Sequence, residues 1–236
     1  MIPKKIHYCW FGWNPLPEDI QKYMDSWRKY CPDYEIIRWD ETNYDVHKND
    51  YVSAAYENKK WAFLTDYARL DIVYHEGGIY LDTDVELLRN LDDLLVHSCF
   101  MGMEQVGTVA TGLGFGAEKG HPFLAENMRY YEQRDFCSEG TFKPEICVKI
   151  TTKLLKASGL VAENVKQQVA DVVVCPTDYF CPLTMGTKKM NLTENTYSIH
   201  HYAASWYTGA PWLRKLKVKL IPLKVFVKKY ILRGTE

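Results

Sequence analysis

The sequence lacks the long apolar runs, paired cysteines and leader segment that mark membrane-spanning or disulfide-rich secreted proteins. No stretch of about 18 uncharged apolar residues occurs, so no transmembrane helix is predicted. The seven cysteines are odd in number and include no Cys-x-x-Cys pair, which favours free, mostly buried thiols in a reducing compartment. The N-terminus has two lysines but no apolar segment typical of a signal peptide, so we expect a cytoplasmic protein.

Charge is nearly balanced in the 236 residues, at a formal net −1, but it is unevenly distributed. From residue 211 onward there are eight Lys/Arg and one acid, which leaves 21 basic and 29 acidic groups in residues 1–210. An acidic body argues against nucleic-acid binding by this part of the chain. We therefore predict one domain over residues 1–210, a normal domain size, and a basic amphipathic tail over residues 211–236.

The tail alternates basic and apolar side chains. As a helix kinked at Pro222, it would carry an apolar stripe formed by Leu213, Leu216, Leu220 and Leu223. Such a segment can lie on an anionic membrane with its apolar side in the interface. The alternative is a C-terminal helix packed on the domain or on a partner subunit. We expect residues 212–233 to bind the anionic inner face of the cell membrane peripherally.

Apolar periodicity predicts an α/β domain with a central, mainly parallel sheet. A strand over 5–10, a helix over 18–30 and a strand over 34–39 form a strand–helix–strand unit, which implies parallel pairing. The clearest helix covers 61–76, and the two glycines that follow are typical of a helix end. A β-rich run over 79–87 comes directly afterwards. Further elements are expected as strands over 99–104, 112–116, 171–175 and 197–202 and as helices over 122–133 and 146–157.

Asp82 and Asp84 lie within the β-rich run over 79–87. Residues i and i+2 of a strand share a face, so both carboxylates can reach one cation at the strand's carboxyl end, where open α/β sheets bind ligands. The alternative is two solvated acids on an edge strand. Because their neighbours are apolar and burying unpaired carboxylates is costly, the setting favours a divalent cation. Such a cation would bridge to a diphosphate and assist its departure.

Asp66 and Arg69 lie on the preceding helix at i and i+3, and therefore on one face. That face is directed towards the strand after the glycine turn. On their own the two residues are better explained by a helical salt bridge, which stabilises a helix by about 0.3 kcal/mol.

Residues 62–69 (AFLTDYAR) and 74–85 (YHEGGIYLDTDV) together resemble the signature of glycosyltransferase family 32. That family includes yeast initiating mannosyltransferases, bacterial capsular and surface-polysaccharide transferases, and relatives of the clostridial glucosylating toxins. The segment 2–10 (IPKKIHYCW) is similar to the family's first strand, and 200–206 (HHYAASW) to its C-terminal His…Ser-Trp segment. The resemblance thus covers residues 2–206.

The resemblance implies a GT-A fold, which is a single Rossmann-like α/β domain with a central, mainly parallel sheet. It also implies a nucleotide-sugar donor, Mn²⁺ or Mg²⁺, and retention of anomeric configuration. Cys9 and Trp10 would line the nucleotide base, with Trp10 stacking on it. Asp66 and Arg69 would contact the donor sugar and its diphosphate.

The remaining roles implied by the resemblance concern the metal and the diphosphate. Asp82 would contact ribose, sugar or metal, and Asp84 would ligate the metal directly. Ser205 and Trp206 would close over the diphosphate. His201 or His200 would complete the metal shell. Because two adjacent histidines on a strand point in opposite directions, at most one faces the site, and we assign His201.

The predicted function is that of a retaining glycosyltransferase acting in surface or capsular polysaccharide synthesis. It would move a hexose from a nucleotide-sugar, with a UDP-sugar favoured, to a saccharide acceptor that is lipid-linked. Glu104, after a predicted strand, is a further candidate to lie under the sugar. A nucleotidyl- or phosphotransferase would predict a glycine-rich loop, but residues 1–20 contain only Gly12. A catalytically silent nucleotide-sugar-binding module would be expected to lack one of the metal carboxylates or the arginine.

Overall fold

A computed structural model describes residues 1–134, 136–138, 141–184 and 189–202. The predicted tail over 211–236 and two predicted site residues, Ser205 and Trp206, lie outside the described residues.

Strands and helices alternate along the first half of the chain, as the apolar periodicity predicts. The strands are β1 (Lys5–Cys9), β2 (Glu35–Trp39), β3 (Gly78–Tyr80), β4 (Val85–Leu87), β5 (Cys99–Gln105), β6 (Thr108–Ala117), β7 (Cys137–Ser138), β8 (Thr141–Phe142), β9 (Gln167–Val169), β10 (Val172–Cys175) and β11 (Ser198–His200). The helices are α1 (Glu18–Tyr30), α2 (Asp50–Glu57), α3 (Trp61–Glu76), α4 (Pro122–Glu132), α5 (Cys147–Ala157) and α6 (Thr177–Phe180), with a 3₁₀ turn at Asp92–Leu94.

A seven-stranded sheet forms the centre of the domain in the order β2-β1-β3-β6-β5-β10-β9. β1 pairs in parallel with both β2 and β3, and β10 pairs in parallel with β5. β6 runs antiparallel between β3 and β5, and β9 is an antiparallel edge strand. Five of the seven strands therefore point the same way, and the prediction of an α/β domain with a central, mainly parallel sheet is confirmed.

Two apolar clusters cover the two faces of this sheet, because successive strand residues point to opposite sides. Along β10, for example, Val172 and Val174 belong to one cluster, and Val173 and Cys175 to the other. Helix α3 packs in the first cluster. Helix α1 packs in the second through Ile20, Met24 and Trp27, which are 0–4% exposed. Fully burying each such side chain stabilises the fold by about 1.5–3 kcal/mol.

The predicted helices over 18–30 and 61–76 have the bounds of α1 and α3. Gly77 caps α3 with φ +66°, a conformation that side chains with a Cβ rarely adopt, and its N–H donates to the carbonyl of Val73 at 2.8 Å. The predicted single strand over 79–87 is wrong. The chain forms β3, leaves the main sheet, and pairs again as β4 in a separate two-stranded sheet with β11.

All seven cysteines are free thiols, as predicted, and five of them are buried. Among the helices in the described part of the chain, none has both the length and the hydrophobicity needed to cross a membrane.

Candidate active site

Asp82 and Asp84 lie in the turn that carries the chain from β3 to β4, not within a strand. The Leu81 N–H donates a hydrogen bond to the His7 carbonyl of β1 at 3.0 Å. The Val85 N–H then donates to the Asp82 carbonyl at 3.0 Å, which closes the turn. The acidic pair therefore sits beyond the carboxyl ends of β1 and β3, at the edge where open α/β sheets bind ligands.

His200 joins the acidic pair because β11 pairs antiparallel with β4, which places His200 opposite Val85. Its Nε2 lies 3.2 Å from Asp84 Oδ1 and 4.0 Å from Asp82 Oδ2. One ligand atom from each of the three side chains lies within 4.8 Å of the others. Two carboxylate oxygens and one imidazole nitrogen at this separation fit a divalent cation. The His200 Nδ1 is buried without a hydrogen-bond partner among the described residues.

The structure corrects the assignment of His201 to the metal shell. His201 follows β11 and its ring stacks on Tyr23, with ring centroids 4.2 Å apart. Its Nε2 lies 2.7 Å from Glu86 Oε2, on the side of β4 away from the acidic pair. Because neighbouring side chains of a strand point to opposite faces, the sequence predicts that at most one of the two histidines faces the site. Only the pairing of β11 with β4 shows that it is His200.

Replacing each histidine by alanine separates these two roles. We expect His200→Ala to weaken Mn²⁺ binding by about tenfold or more, since even residues that only support a ligand cost 10–100-fold when removed. His201→Ala should leave Mn²⁺ affinity unchanged and cost about 1 kcal/mol of stability through the lost ring stacking. Titration calorimetry with Mn²⁺ measures both variants. Equal losses of affinity, or a loss confined to His201→Ala, would contradict the placement of His200.

Arg69 holds the two acidic parts of the site together from inside α3. Its Nη2 lies 3.3 Å from Asp66 Oδ1 and 3.2 Å from Asp82 Oδ1, and its side chain is 5% exposed. Its Nε donates to the Thr65 carbonyl at 3.1 Å, and Nη1 donates to Thr111 Oγ1 at 3.3 Å. Protein groups thus contact the guanidinium on several sides. It holds the Asp82 carboxylate in place and balances its negative charge.

Asp82 is packed closely on the side away from solvent. Tyr80 Oη donates to Asp82 Oδ1 at 3.1 Å, and the Arg69 guanidinium lies 5.1 Å from the centre of the Tyr80 ring. Gly112 of β6 faces the carboxylate so closely that a Cβ there would lie 2.5 Å from Asp82 Oδ2. The side chain of Asp82 nevertheless remains 26% exposed, against 10% for Asp84. Of the two carboxylates, Asp82 is therefore the one on the solvent-exposed side of the site.

Asp66 is the buried end of this carboxylate–guanidinium group. Burial raises the pKa of the Asp66 carboxyl to about 6, and the charge of Arg69 only partly opposes this. The backbone N–H of Cys147, at the start of α5, donates to Asp66 Oδ2 at 3.4 Å. Cys147 and Thr111 come from distant parts of the chain and carry no motif, so nothing in the sequence marked them as neighbours of the site.

The charged groups of the acidic turn shift one another's pKa. Burial raises the pKa of the Asp82 carboxyl, and Asp84 raises it further, while Arg69 lowers it. Burial lowers the pKa of His200, but Asp84, Asp82 and Glu104 together raise it above its usual value. The two carboxylates that His200 faces thus favour its protonated form. Burial likewise raises the pKa of Glu104, a residue of β5, and the charge of His200 opposes this shift.

Cys9 and Trp10 mark the end of β1, next to this site. Burial raises the pKa of the Cys9 thiol far above its usual value, and the charges of Arg69 and Asp82 both act on it. Trp10 is half-buried against the second apolar cluster, and its Nε1 donates to the Asn14 carbonyl at 2.7 Å. Cys9 therefore ends β1 at the same sheet edge as the acidic group, and Trp10 begins the loop that follows.

Residues 17–101 match the family described as glycosyltransferase sugar-binding region containing DXD motif. The match includes Asp66, Arg69, Asp82 and Asp84. The resemblance of this region to DXD-containing glycosyltransferases of family 32 type is thus confirmed.

Curated relatives include inositol phosphoceramide mannosyltransferase 3 of Schizosaccharomyces pombe, 33% identical over 136 residues, which are 54% of this chain and 36% of that protein. An uncharacterized glycosyltransferase of Acanthamoeba polyphaga mimivirus is 26% identical over 233 residues, or 92% of this chain and 88% of that protein. The chain therefore spans about a third of the fungal relative.

Solved structures of similar shape include the PaToxG glycosyltransferase, with a TM-score of 0.48 and 16% identity over 66% of this chain and 70% of that one. Another is a glycosyltransferase involved in glycosylation of the major capsid of PBCV-1, with a TM-score of 0.45 and 9% identity over 92% of this chain and 99% of that one.

Proposed function

We propose that this protein is a metal-dependent, retaining glycosyltransferase that moves a hexose from a nucleotide-sugar to a saccharide acceptor. The observation that carries the proposal is the convergence of Asp82, Asp84 and His200 beside the buried Arg69. Two of these residues come from one turn and the others from separate elements. A solvated acidic turn would need neither a buried guanidinium nor an inward-facing imidazole.

Asp82, Asp84 and His200 would hold the cation, and Arg69 would keep Asp82 oriented and charged. The bound cation would supply Lewis-acid neutralisation of the charge that develops on the departing nucleotide diphosphate. Arg69 adds a fixed positive charge behind the carboxylates at no cost of reorganisation. The acceptor proton would pass to an oxygen of the leaving diphosphate, consistent with retention without an enzyme nucleophile.

The ligand set favours Mn²⁺ over Mg²⁺. Mg²⁺ prefers oxygen ligands in a near-ideal octahedron, whereas imidazole nitrogen suits softer divalent transition metals. A site of two carboxylates and one histidine therefore selects Mn²⁺ when both metals are present. Phosphate oxygens and water would complete the coordination shell.

A hexose is the group that we propose is transferred, from UDP-hexose in the first instance. The name of the fungal relative specifies mannosyl transfer to inositol phosphoceramide, so GDP-mannose is the competing donor. The same name gives an acceptor whose polyol head group, inositol, is attached to a lipid, which supports a lipid-linked acceptor for this chain. Assembly of a surface or capsular polysaccharide uses acceptors of that kind.

Donor turnover tests the proposal without knowledge of the acceptor. The protein is incubated with UDP-glucose, UDP-galactose, UDP-N-acetylglucosamine and GDP-mannose, with Mn²⁺, Mg²⁺ or EDTA, and the released nucleotide diphosphate is measured. We expect slow hydrolysis of one donor with Mn²⁺ and none with EDTA. Equal release with EDTA would refute the metal role, and absence of release from every donor would count against a transferase.

The basic segment over 212–233 is proposed to bring the protein to the anionic inner face of the membrane, where a lipid-linked acceptor lies. Eight Lys/Arg between residues 211 and 236 support this proposal, since each contributes about 1 kcal/mol near an anionic surface. Deleting residues 212–236 should abolish sedimentation with phosphatidylserine vesicles while donor hydrolysis continues. Unchanged sedimentation would contradict the proposal.

A further inference from the structure

Trp13 combines two features that are individually unfavourable. Its backbone has φ +59°, in the left-handed region that bulky side chains rarely adopt. Its indole is 70% exposed, which makes it the most exposed aromatic side chain that the structure describes. Burial therefore does not offset the backbone strain at this position. Backbone strain that packing does not offset is typical of functional sites.

The conformation of the Trp13 loop is imposed by its neighbours. The Gly12 N–H donates to Glu41 Oε1 at 2.6 Å, and Asn14 Nδ2 donates to the Gly12 carbonyl at 3.0 Å. The Gly12 backbone also lies against Trp61, since a Cβ there would come within 2.8 Å of the indole. These contacts hold the backbone on the N-terminal side of Trp13 and favour the positive φ seen there.

The loop begins where β1 ends, beside the candidate active site. Cys9 is the last residue of β1, and the Leu81 N–H, directly before Asp82, donates to the carbonyl of His7 on this strand at 3.0 Å. From there the chain passes through the half-buried Trp10 to the exposed Trp13. Trp13 thus lies four residues beyond the end of β1, on a loop whose Gly12 contacts Trp61 at the start of α3. A substrate that extends from the site over this loop would meet it.

We propose that Trp13 is a platform on which a saccharide ring of the acceptor stacks, an inference that rests on the proposed sugar transfer. The C–H face of a pyranose ring is apolar and flat, and an indole offers a large, rigid apolar surface. The donor nucleobase is the competing occupant. The half-buried position of Trp10 suits the base better, because sites for nucleotides enclose most of their ligand.

The thermal stability of glycine variants tests whether the backbone at Trp13 is strained. We expect Trp13→Gly to raise Tm by about 2–4 °C, since glycine adopts φ +59° freely. Lys59→Gly is a matched control, because Lys59 is exposed at the end of α2 with φ +53°. It should raise Tm similarly. A lower Tm for Trp13→Gly would show that the indole stabilises the loop and would overturn the inference.

Saccharide binding tests the role of the indole. Saturation-transfer NMR is recorded on the full chain with UDP and Mg²⁺, which is diamagnetic and does not broaden the signals as Mn²⁺ would, using the methyl α- and β-pyranosides of glucose, galactose and mannose as probes. We expect the wild type and Lys59→Gly to bind at least one probe equally. Trp13→Gly should bind it about tenfold more weakly, which corresponds to the loss of one stacked ring. Trp13→Phe, which keeps a ring, should recover part of the affinity.

Three outcomes would overturn the inference: no probe bound by the wild type, equal probe binding by Trp13→Gly, or a loss of UDP affinity in Trp13→Gly. The last would assign the indole to the donor base. Failure of the proposed function is seen separately, as absence of UDP binding and of donor turnover in both the wild type and Lys59→Gly.

Discussion

Replacing Asp84 by asparagine is expected to abolish metal-dependent turnover while leaving the protein folded. The amide keeps the volume of the side chain but removes a negative ligand, so the charge on the leaving diphosphate loses its counter-ion. Metal stabilisation of that charge is worth several kcal/mol, and each 1.36 kcal/mol is a factor of ten in rate. We therefore expect donor turnover with Mn²⁺ to fall at least about 100-fold.

The same variant should lose the stabilisation that Mn²⁺ gives the wild type. A ligand that binds only the folded state raises Tm according to its concentration and affinity. Mn²⁺ should therefore raise the Tm of the wild type and not that of Asp84→Asn. Asp93→Asn is a matched control, because Asp93 is 67% exposed and pairs with Arg89. A variant at Asp84 that kept both turnover and the Mn²⁺ shift would refute the metal site.

Removing the charge of Arg69 is expected to destabilise the fold more than any change at the surface. Arg69→Met keeps the length of the side chain but leaves Asp66 and Asp82 without their buried counter-charge. Loss of one partner of a buried ion pair costs about 3–5 kcal/mol. Arg89→Met is the control, since the Arg89–Asp93 pair is exposed and should contribute about 0–1 kcal/mol. Urea unfolding measures both.

The loss in Arg69→Met should depend on pH. Without the guanidinium, the pKa of Asp66, already raised to about 6 by burial, rises further in the folded state. When the pKa of a carboxyl is higher in the folded state than in the unfolded state, the free energy of unfolding falls as the pH rises from the unfolded-state pKa through the folded-state pKa. The variant should therefore be least stable near pH 8 and recover part of its stability near pH 5. A pH-independent loss would show that packing, not charge, dominates at Arg69.

The local elements of the fold were predictable because their signals are local. Helices α1 and α3 have apolar faces bounded by clear breakers, and both bounds were predicted correctly. The turn at 81–84 was missed because the residues around it are as β-rich as those in a strand. What ends β3 is the pairing of β4 with β11, a contact between residues more than 100 positions apart.

The candidate site was predictable in part for the same reason. The acidic pair and the Asp66–Arg69 pair belong to a continuous motif that sequence spacing and resemblance both indicate. Their assembly with His200, Thr111 and Cys147 depends on β11, β6 and α5, whose positions are set by tertiary pairing. Sequence spacing therefore predicts the chemical types present, and only the fold shows which histidine completes the group.

Titration calorimetry of the wild-type protein with nucleotide-sugars, with and without Mn²⁺, tests the central claim most directly. Each titration uses one of UDP-glucose, UDP-galactose, UDP-N-acetylglucosamine or GDP-mannose. Because Asp82, Asp84 and His200 would reach the diphosphate only through a cation, we predict binding of one donor with Mn²⁺ and at least about tenfold weaker binding with EDTA. Equal affinity in EDTA, or no binding to any donor by the folded protein, would contradict the assignment of this site.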